Sequence, residues 1–208
     1  MQTISICATK GGTGKSTLCI NLAAYVHSLG KTVCLIDLDA GQGSTTSWAG
    51  ARARAKLSGP ELVKVRSLRA DLRRLAAKGV AYTFIDSPPT LDDAGLVEDA
   101  VAVADYVLSP CRPSLLDVGA AETIYNLASG SNIAFVMTDV TAGAKWEAVN
   151  DDAAKMLAGL GAHVFKAKLT HRPSYVDSMR HGKTGPEMDK GAASEVAALW
   201  GEIVQWIS

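Results

Sequence analysis

Eight consecutive residues, Lys10-Gly11-Gly12-Thr13-Gly14-Lys15-Ser16-Thr17, hold three glycines, two lysines and three hydroxyls. Glycines let a backbone curl until several N–H groups converge on one anion, and a helix starting directly afterwards adds the positive end of its dipole. That is chemistry for phosphate. Lys15 is placed to meet the β and γ phosphates of a nucleotide, Ser16 to offer a hydroxyl to Mg²⁺, and Thr17 to approach the α phosphate. The competing reading is an incidental glycine turn, which has to produce the glycines, the lysine, the hydroxyl and a strand-to-helix setting together.

Two further groups of interest are carboxylates at the ends of apolar runs. One run ends in Asp37-Leu38-Asp39, the other in Asp86 followed by Ser87-Pro88-Pro89. In an open parallel sheet the carboxyl edge of the strands forms the ligand crevice, so both runs deliver acid toward the glycine loop. Asp86 reads as a carboxylate that holds Mg²⁺ directly or through its water shell. Helix N-capping or strand termination is the alternative for each.

These groups need a frame that brings them to one edge. Short apolar or β-branched runs recur at 2–8, 32–37, 81–86, 105–109, 132–138 and 162–166. Helical periodicity fills 15–29, 43–56, 66–78, 92–104, 115–129, 146–160, 172–181 and 191–207, with Gly30, Gly79 and Gly161 as C-terminal stops. The alternation predicts an α/β fold: one doubly wound domain over 1–208, a mostly parallel sheet flanked by helices. At 208 residues and 48% hydrophobic the chain supports one sizeable core.

Cys7, Cys19, Cys34 and Cys111 show no Cys-x-x-Cys spacing and read as small buried thiols suited to a reducing cytoplasm. The N-terminus lacks a basic segment before an apolar core, and no apolar run approaches the roughly 18–20 residues that span a bilayer. The expectation is a cytoplasmic protein without membrane attachment.

The form of the loop narrows the reading. In the pattern G-x-x-x-x-G-K-[ST] the first glycine is here Thr9, and a second lysine, Lys10, stands directly before Gly11-Gly12. Residues 10–17, KGGTGKST, resemble the deviant Walker A loop of the ParA/MinD family of P-loop NTPases. In that family the lysine matching Lys10 reaches across a nucleotide-sandwich dimer to the partner subunit's phosphates, so that ATP acts as dimer glue. A solvated lysine at the loop mouth is the plainer alternative.

The resemblance also implies that Asp39 orients the attacking water. Asp37 would then support the magnesium and water network formed with Ser16 and Asp86. Catalysis would thus rest on Lys10, Lys15 and Asp39. The family's D-x-D-P-Q appears here as Asp37-Leu38-Asp39-Ala40-Gly41-Gln42, with alanine for proline and one extra residue before the glutamine, so the first switch has its own shape. The resemblance continues through 109–117 and 169–176, where Thr170 and Arg172 fall beside the family's adenine site, although an ordinary entry into a helix would also explain them. No Asn-Lys-x-Asp guanine-reading motif is present, which favours ATP over GTP.

Relatives with this loop do different work, so other features must discriminate. No cysteine pattern supports a bridging iron–sulfur cluster. The last helix, 194–207, carries no Lys or Arg to attract anionic lipid, and its stripe of Val196, Leu199, Trp200, Ile203, Val204 and Ile207 predicts a core-facing helix. The net charge is zero, yet residues 52–78 hold nine basic and two acidic side chains while 79–152 hold two and twelve. Arg52, Arg54, Lys56, Arg66, Arg69, Arg73, Arg74 and Lys78 are candidates for a face that meets DNA phosphates without reading bases; solvated helix faces are the equal alternative.

The first hypothesis is therefore a small ParA-type partition ATPase, magnesium-dependent and slow on its own. ATP drives homodimerisation, the dimer binds DNA non-specifically on the nucleoid, and an activating partner protein of ParB-like role triggers hydrolysis. The load would be a plasmid, a chromosome or a protein assembly. The second is a MinD-like or regulatory nucleotide switch that gates a protein partner with no DNA role.

Overall fold

The computed structural model describes residues 1–39, 41–89, 94–128 and 132–208. Strands and helices alternate as β1 (Gln2–Ile6), α1 (Lys15–Ser28), β2 (Val33–Asp37), α2 (Ser44–Arg54), β3 (Glu61–Leu62), α3 (Leu68–Ala77), β4 (Tyr82–Asp86) and α4 (Ala94–Val103). They continue as β5 (Tyr106–Cys111), α5 (Leu115–Leu127), β6 (Asn132–Met137), α6 (Ala144–Gly159), β7 (His163–Val164), α7 (Pro173–Arg180), α8 (Gly185–Met188) and α9 (Lys190–Trp206).

All seven strands pair in parallel, in the order β3-β2-β4-β1-β5-β6-β7. Insertion of β4 between β1 and β2 decides where the chemistry can gather. Asp37 and Asp86 stand in register on adjacent strands, and Ile6, the last residue of β1, pairs with Asp86 on its other side. The glycine loop leaves β1 at that point, so two carboxylates and the loop share one edge of the sheet.

Side chains alternate across each strand and fill two cores. Ile4, Ile6, Leu35 and Phe84 pack under α1 and α9 with Leu18, Leu22, Leu199 and Trp200. Cys34, Ile36, Ile85 and Phe135 pack on the opposite face with Leu72, Val97, Ile124 and Leu157. Strands buried on both faces read as continuous apolar runs because each residue has a core to enter. Each large apolar side chain buried this way stabilises the fold by about 1.5–3 kcal/mol relative to exposure.

Each expected strand falls on an observed one, and the expected helices fall on α1 to α7 and α9. Residues 92 and 93 of the expected helix 92–104, and residue 129 of the expected helix 115–129, lie outside the described residues. Strand β1 ends at Ile6 rather than 8, because Cys7 and Ala8 already begin the loop. Periodicity could not reveal β3 and α8, which are two and four residues long. Gly30, Gly79 and Gly161 all follow helices with positive φ, at 79°, 76° and 91°. The four cysteines are buried.

Two expectations need correction. Val204 is 38% exposed, so the core stripe of α9 runs through Val196, Leu199, Trp200, Ile203 and Ile207 without it. Arg52 does not belong to a solvent face: it is 8% exposed, and its guanidinium donates to Glu187 Oε1 and Oε2 at 2.8 and 3.0 Å, to the Gly182 carbonyl and to the Ser58 carbonyl. It also lies over the Trp48 ring, whose Nε1 donates to the Lys183 carbonyl. A methyl group on Gly182 would fall 2.2 Å from the Arg52 nitrogen, so only glycine permits this approach. The C-terminal end of α2 is thereby riveted to the α7–α8 segment. Arg54, Lys56, Arg66, Arg69, Arg73, Arg74 and Lys78 are exposed.

Among the described residues no helix is long and apolar enough to cross a membrane.

Candidate functional site

The loop between β1 and α1 takes its shape from Gly12 and Gly14, with φ of 75° and 93°. Both angles are in the left-handed region that side chains disfavour. Gly14 is the N-cap of α1 and brings no capping side chain, leaving the first-turn amides to another acceptor. The loop is anchored from outside. Thr138, just past β6, donates its hydroxyl to the Thr13 carbonyl at 2.7 Å, and Thr9 donates to the Ala120 carbonyl at 2.8 Å.

Lys15 is 7% exposed, and among the described residues its Nζ makes only a long 3.4 Å hydrogen bond, to the Lys10 carbonyl. Burial lowers its pKa, while the negative charges of Asp86 and Asp39 work in the opposite direction. A buried ammonium with so little to donate to is poised for an anion. Thr17, Ser16, Lys15 and the glycines line a cavity of about 240 Å³ that also meets Asp39, Gln42, Ser44 and Met179.

The three carboxylates are held differently. Asp86 is 1% exposed; its Oδ2 accepts from the Thr45 hydroxyl at 2.7 Å, whereas its Oδ1 is buried with no hydrogen-bond partner among the described residues. Burial pushes its pKa up to about 6, against the pull of Thr45 and Ser16. Asp37 is engaged at both oxygens: Oδ1 accepts from the Asp39 amide at 3.1 Å, and Oδ2 from the Thr46 amide and hydroxyl at 2.8 and 2.7 Å. Asp39 Oδ1 accepts from the Gln42 amide at 2.9 Å. Asp37 thus bonds the first turn of α2, Asp39 closes the turn that precedes it, and, among the described residues, Asp86 Oδ1 has no hydrogen-bond partner. Ala40, within this switch, lies outside the described residues.

Among the described residues no group of three or more His, Cys, Asp and Glu forms a cage for a metal ion. One unpartnered Asp86 oxygen and a serine hydroxyl beside a phosphate cradle instead suit Mg²⁺, which keeps waters and shares its coordination with substrate phosphates.

A second cavity, of about 290 Å³, opens on the other side of Gly14 and Thr17 and is walled by Thr138, Asp139, Thr170, Arg172, Tyr175 and Val176. Thr170 and Arg172 are thus part of the wall of this cavity. Their donors are already committed: the Thr170 hydroxyl and the Arg172 guanidinium bond Glu195 at 2.6 and 2.9 Å, and Arg172 also meets Asp189 at 3.3 Å. Arg172 is the N-cap of α7 as well, so the helix-entry reading holds beside the cavity-wall one.

Lys10 is outside both cavities. Its Nζ lies 2.5 Å from Asp117 Oδ1 near the start of α5. Asp117, 2% exposed, also accepts from Arg112 Nε at 2.6 Å. Burial would raise the Asp117 pKa, but the hydrogen bonds from Arg112 and Lys10 hold it below the usual carboxylate range.

Sequence reasoning gave no role to Thr45, Thr46, Thr138, Asp117, Asp139 or Tyr175. Ser44-Thr45-Thr46 at the start of an expected helix, separated by four residues from Asp37-Leu38-Asp39, is the one local signal for the first two. Asp139 adopts φ of 54° and pairs with His171 Nδ1 at 2.6 Å, a contact across 32 residues with no local mark.

Comparison with known proteins agrees with this architecture. The maintenance of carboxysome distribution protein A of Gloeobacter kilaueensis is 32% identical over 169 residues, covering 80% of this chain and 75% of its own. The chromosome-partitioning ATPase Soj of Thermus thermophilus is 34% identical over 140 residues, covering 54% of this chain and 55% of its own, so the chain spans about half of that relative. The MinC:MinD cell division protein complex of Aquifex aeolicus contains a chain that superposes with a TM-score of 0.80 at 20% identity, covering 99% of this chain and 96% of that one, a likeness of fold. The model of the CobQ/CobB/MinD/ParA nucleotide binding domain matches residues 4–184, and the chain belongs to that family.

Proposed function

We propose that this protein is a ParA-type ATPase whose ATP-bound form dimerises and moves or positions a cargo. The carrying observation is the pairing of a buried, nearly unpartnered Lys15 inside the glycine cradle with a second lysine, Lys10, held outside it on the same rim. One lysine serves the nucleotide of its own chain. The other is free to serve a neighbour's once it leaves Asp117.

On this reading Gly11, Gly12, Thr13 and Gly14 give backbone amides to the phosphates, Lys15 bridges β and γ, and Thr17 approaches α. Ser16 and Asp86 hold Mg²⁺, with Asp37 in the surrounding network; when bound, the ion neutralises charge that builds on the phosphates. Asp39 orients the attacking water, and Thr170 and Arg172 wall the base. Lys10 adds positive charge from across the dimer.

Non-specific DNA binding would use the exposed Arg54, Lys56, Arg66, Arg69, Arg73, Arg74 and Lys78, without Arg52. The relatives' names, one a chromosome-partitioning ATPase and one a carboxysome-distribution protein, support a cargo-positioning role and leave either class of cargo open. An activating partner protein would set the turnover.

The test sizes the native chain and Lys10→Ala with ATP, ADP and no nucleotide, then measures binding to random-sequence DNA at low and high salt. An ATP-only dimer, lost in Lys10→Ala, with salt-sensitive DNA binding, is the expected result. An ATP-loaded dimer that ignores DNA at low salt would leave the switch that gates a protein partner. A chain that stays monomeric in ATP would refute both dimeric readings.

A further inference from the structure

Resting on the reading of Asp86 as a magnesium-holding carboxylate, we infer that Thr45 is a positioning residue for Asp86. Its hydroxyl ties down one carboxylate oxygen so that the other stays free for the metal side of the phosphate cavity. Thr45 is 0% exposed, and its Oγ1 donates to Asp86 Oδ2 at 2.7 Å. Among the described residues Asp86 Oδ1 has no hydrogen-bond partner although it is buried, and the one further hydroxyl that acts on this carboxyl, that of Ser16, belongs to the same proposed magnesium set. A buried carboxylate oxygen without a donor is costly to the fold unless a ligand or its water takes it up.

The division of labour between the two oxygens has a clear source in the fold. Asp37 and Asp86 are in register on β2 and β4, and the first turn of α2 lies across both strand ends. Consecutive hydroxyls reach one carboxylate each: Thr46 bonds Asp37 through its amide and hydroxyl, and Thr45 bonds Asp86. The far end of α2 is fixed by the bidentate Arg52–Glu187 pair and by the Gly182 approach, so the helix cannot drift away from the strands.

The hydroxyl also prevents a wrong pairing. Asp86 and Lys15 attract one another in this site, and Lys15 Nζ has only the long contact to the Lys10 carbonyl. An untethered Asp86 could turn onto that ammonium, withdrawing the metal carboxylate and the phosphate lysine together.

The experiment measures ADP affinity by calorimetry in EDTA and in Mg²⁺, for the native chain, Thr45→Val, Thr45→Ser and Asp86→Asn. Electron paramagnetic resonance of Mn²⁺ with ADP gives a second readout of the metal's surroundings. The Val variant keeps the shape and removes the hydroxyl; its melting temperature in EDTA should stay within a few degrees of native. The expected result is that Thr45→Val binds ADP in EDTA within about twofold of native but loses about tenfold of the gain that Mg²⁺ provides. Thr45→Ser should regain that gain, and the Mn²⁺ spectrum should change in Val and revert in Ser. The inference is overturned if Thr45→Val keeps the full Mg²⁺ gain while Asp86→Asn loses it, if Ser is as deficient as Val, or if Val loses affinity equally in EDTA. If Asp86→Asn keeps the gain, or the native chain shows none, the underlying assignment of Asp86 fails and the inference falls with it.

Discussion

The Lys10 ammonium and the Asp117 carboxylate form an ion pair of 2.5 Å inside one chain, and Asp117 holds Arg112 at the same time. Asp117 therefore does not depend on Lys10 alone: if the lysine leaves, the buried carboxylate still has the Arg112 guanidinium, while its backbone amide stays capped by the Ser114 hydroxyl. The Lys10 side chain is 37% exposed, so breaking the contact costs on the order of 1 kcal/mol. A lysine that must reach a partner's phosphates has to give up this pair first, and the pair then opposes dimerisation.

Asp117→Asn should consequently favour the ATP-bound dimer. Sedimentation with a non-hydrolysable ATP analogue should show the association midpoint at about three- to tenfold lower protein concentration than native. An unchanged or weaker midpoint would mean that the internal pair does not compete with assembly.

The Asp86 carboxyl gives a pH signature in the absence of nucleotide. Its pKa is about 6 in the folded chain against an ordinary 3.8, so the folded state holds its proton more tightly than the unfolded state does. The stability this confers is fully present below the ordinary value and is lost as pH rises through about 6; at neutral pH the ionised, buried Asp86 is a liability of about 2–3 kcal/mol. Asp86→Asn, which cannot ionise, should melt roughly 5–10 °C higher than native at pH 8 and show little gain at pH 4. Thermal melts in EDTA at the two pH values decide it, since an equal gain at both would point to packing instead of charge.

How much of this was legible follows from sequence separation. The glycine loop carries its chemistry within eight residues, and the strand ends carry theirs at the close of apolar runs, so both could be read directly. Alternation likewise gave the parallel sheet, because strands with a core on each face must be apolar throughout. Thr45 and Asp86 are 41 residues apart, Lys10 and Asp117 107 apart, and Arg52 and Glu187 135 apart. No periodicity encodes such pairs. Arg52 shows the cost: within a basic run it looks like a surface charge, and only the placement of α8, itself too short to foresee, turns it inward.

Arg52 on α2 and the exposed arginines of α3 should accordingly separate in experiment. Arg52→Met removes the buried guanidinium, leaves the Ser58 and Gly182 carbonyls without their donor and releases the exposed Glu187, a loss of about 1–3 kcal/mol in stability. It should leave DNA affinity per folded molecule unchanged. Arg69→Glu with Arg73→Glu, both exposed, should leave the melting temperature within a few degrees of native and weaken low-salt DNA binding by tenfold or more. Denaturant unfolding beside filter binding on the same samples reads both effects. A stable Arg52→Met protein would show that the α2–α8 rivet is dispensable.

The wall of the cavity proposed to take the base depends on one carboxylate. Glu195 on α9 accepts from the Thr170 hydroxyl at 2.6 Å, Arg172 Nε at 2.9 Å and the Tyr175 hydroxyl at 2.9 Å, so it gathers three wall residues from outside the cavity. Burial alone would raise its pKa, but these donors hold it below the ordinary glutamate range. The phosphate cradle does not use this carboxylate; its supports are Thr138 and the loop glycines. Glu195→Ala should therefore weaken ATP and ADP by about tenfold while leaving inorganic tripolyphosphate binding within about twofold of native, because only the base loses its wall. Calorimetric titration with the three ligands makes the comparison. Parallel losses for all of them would mean that the cavity beside Gly14 and Thr17 moves as one piece with the cradle and does not hold a base of its own.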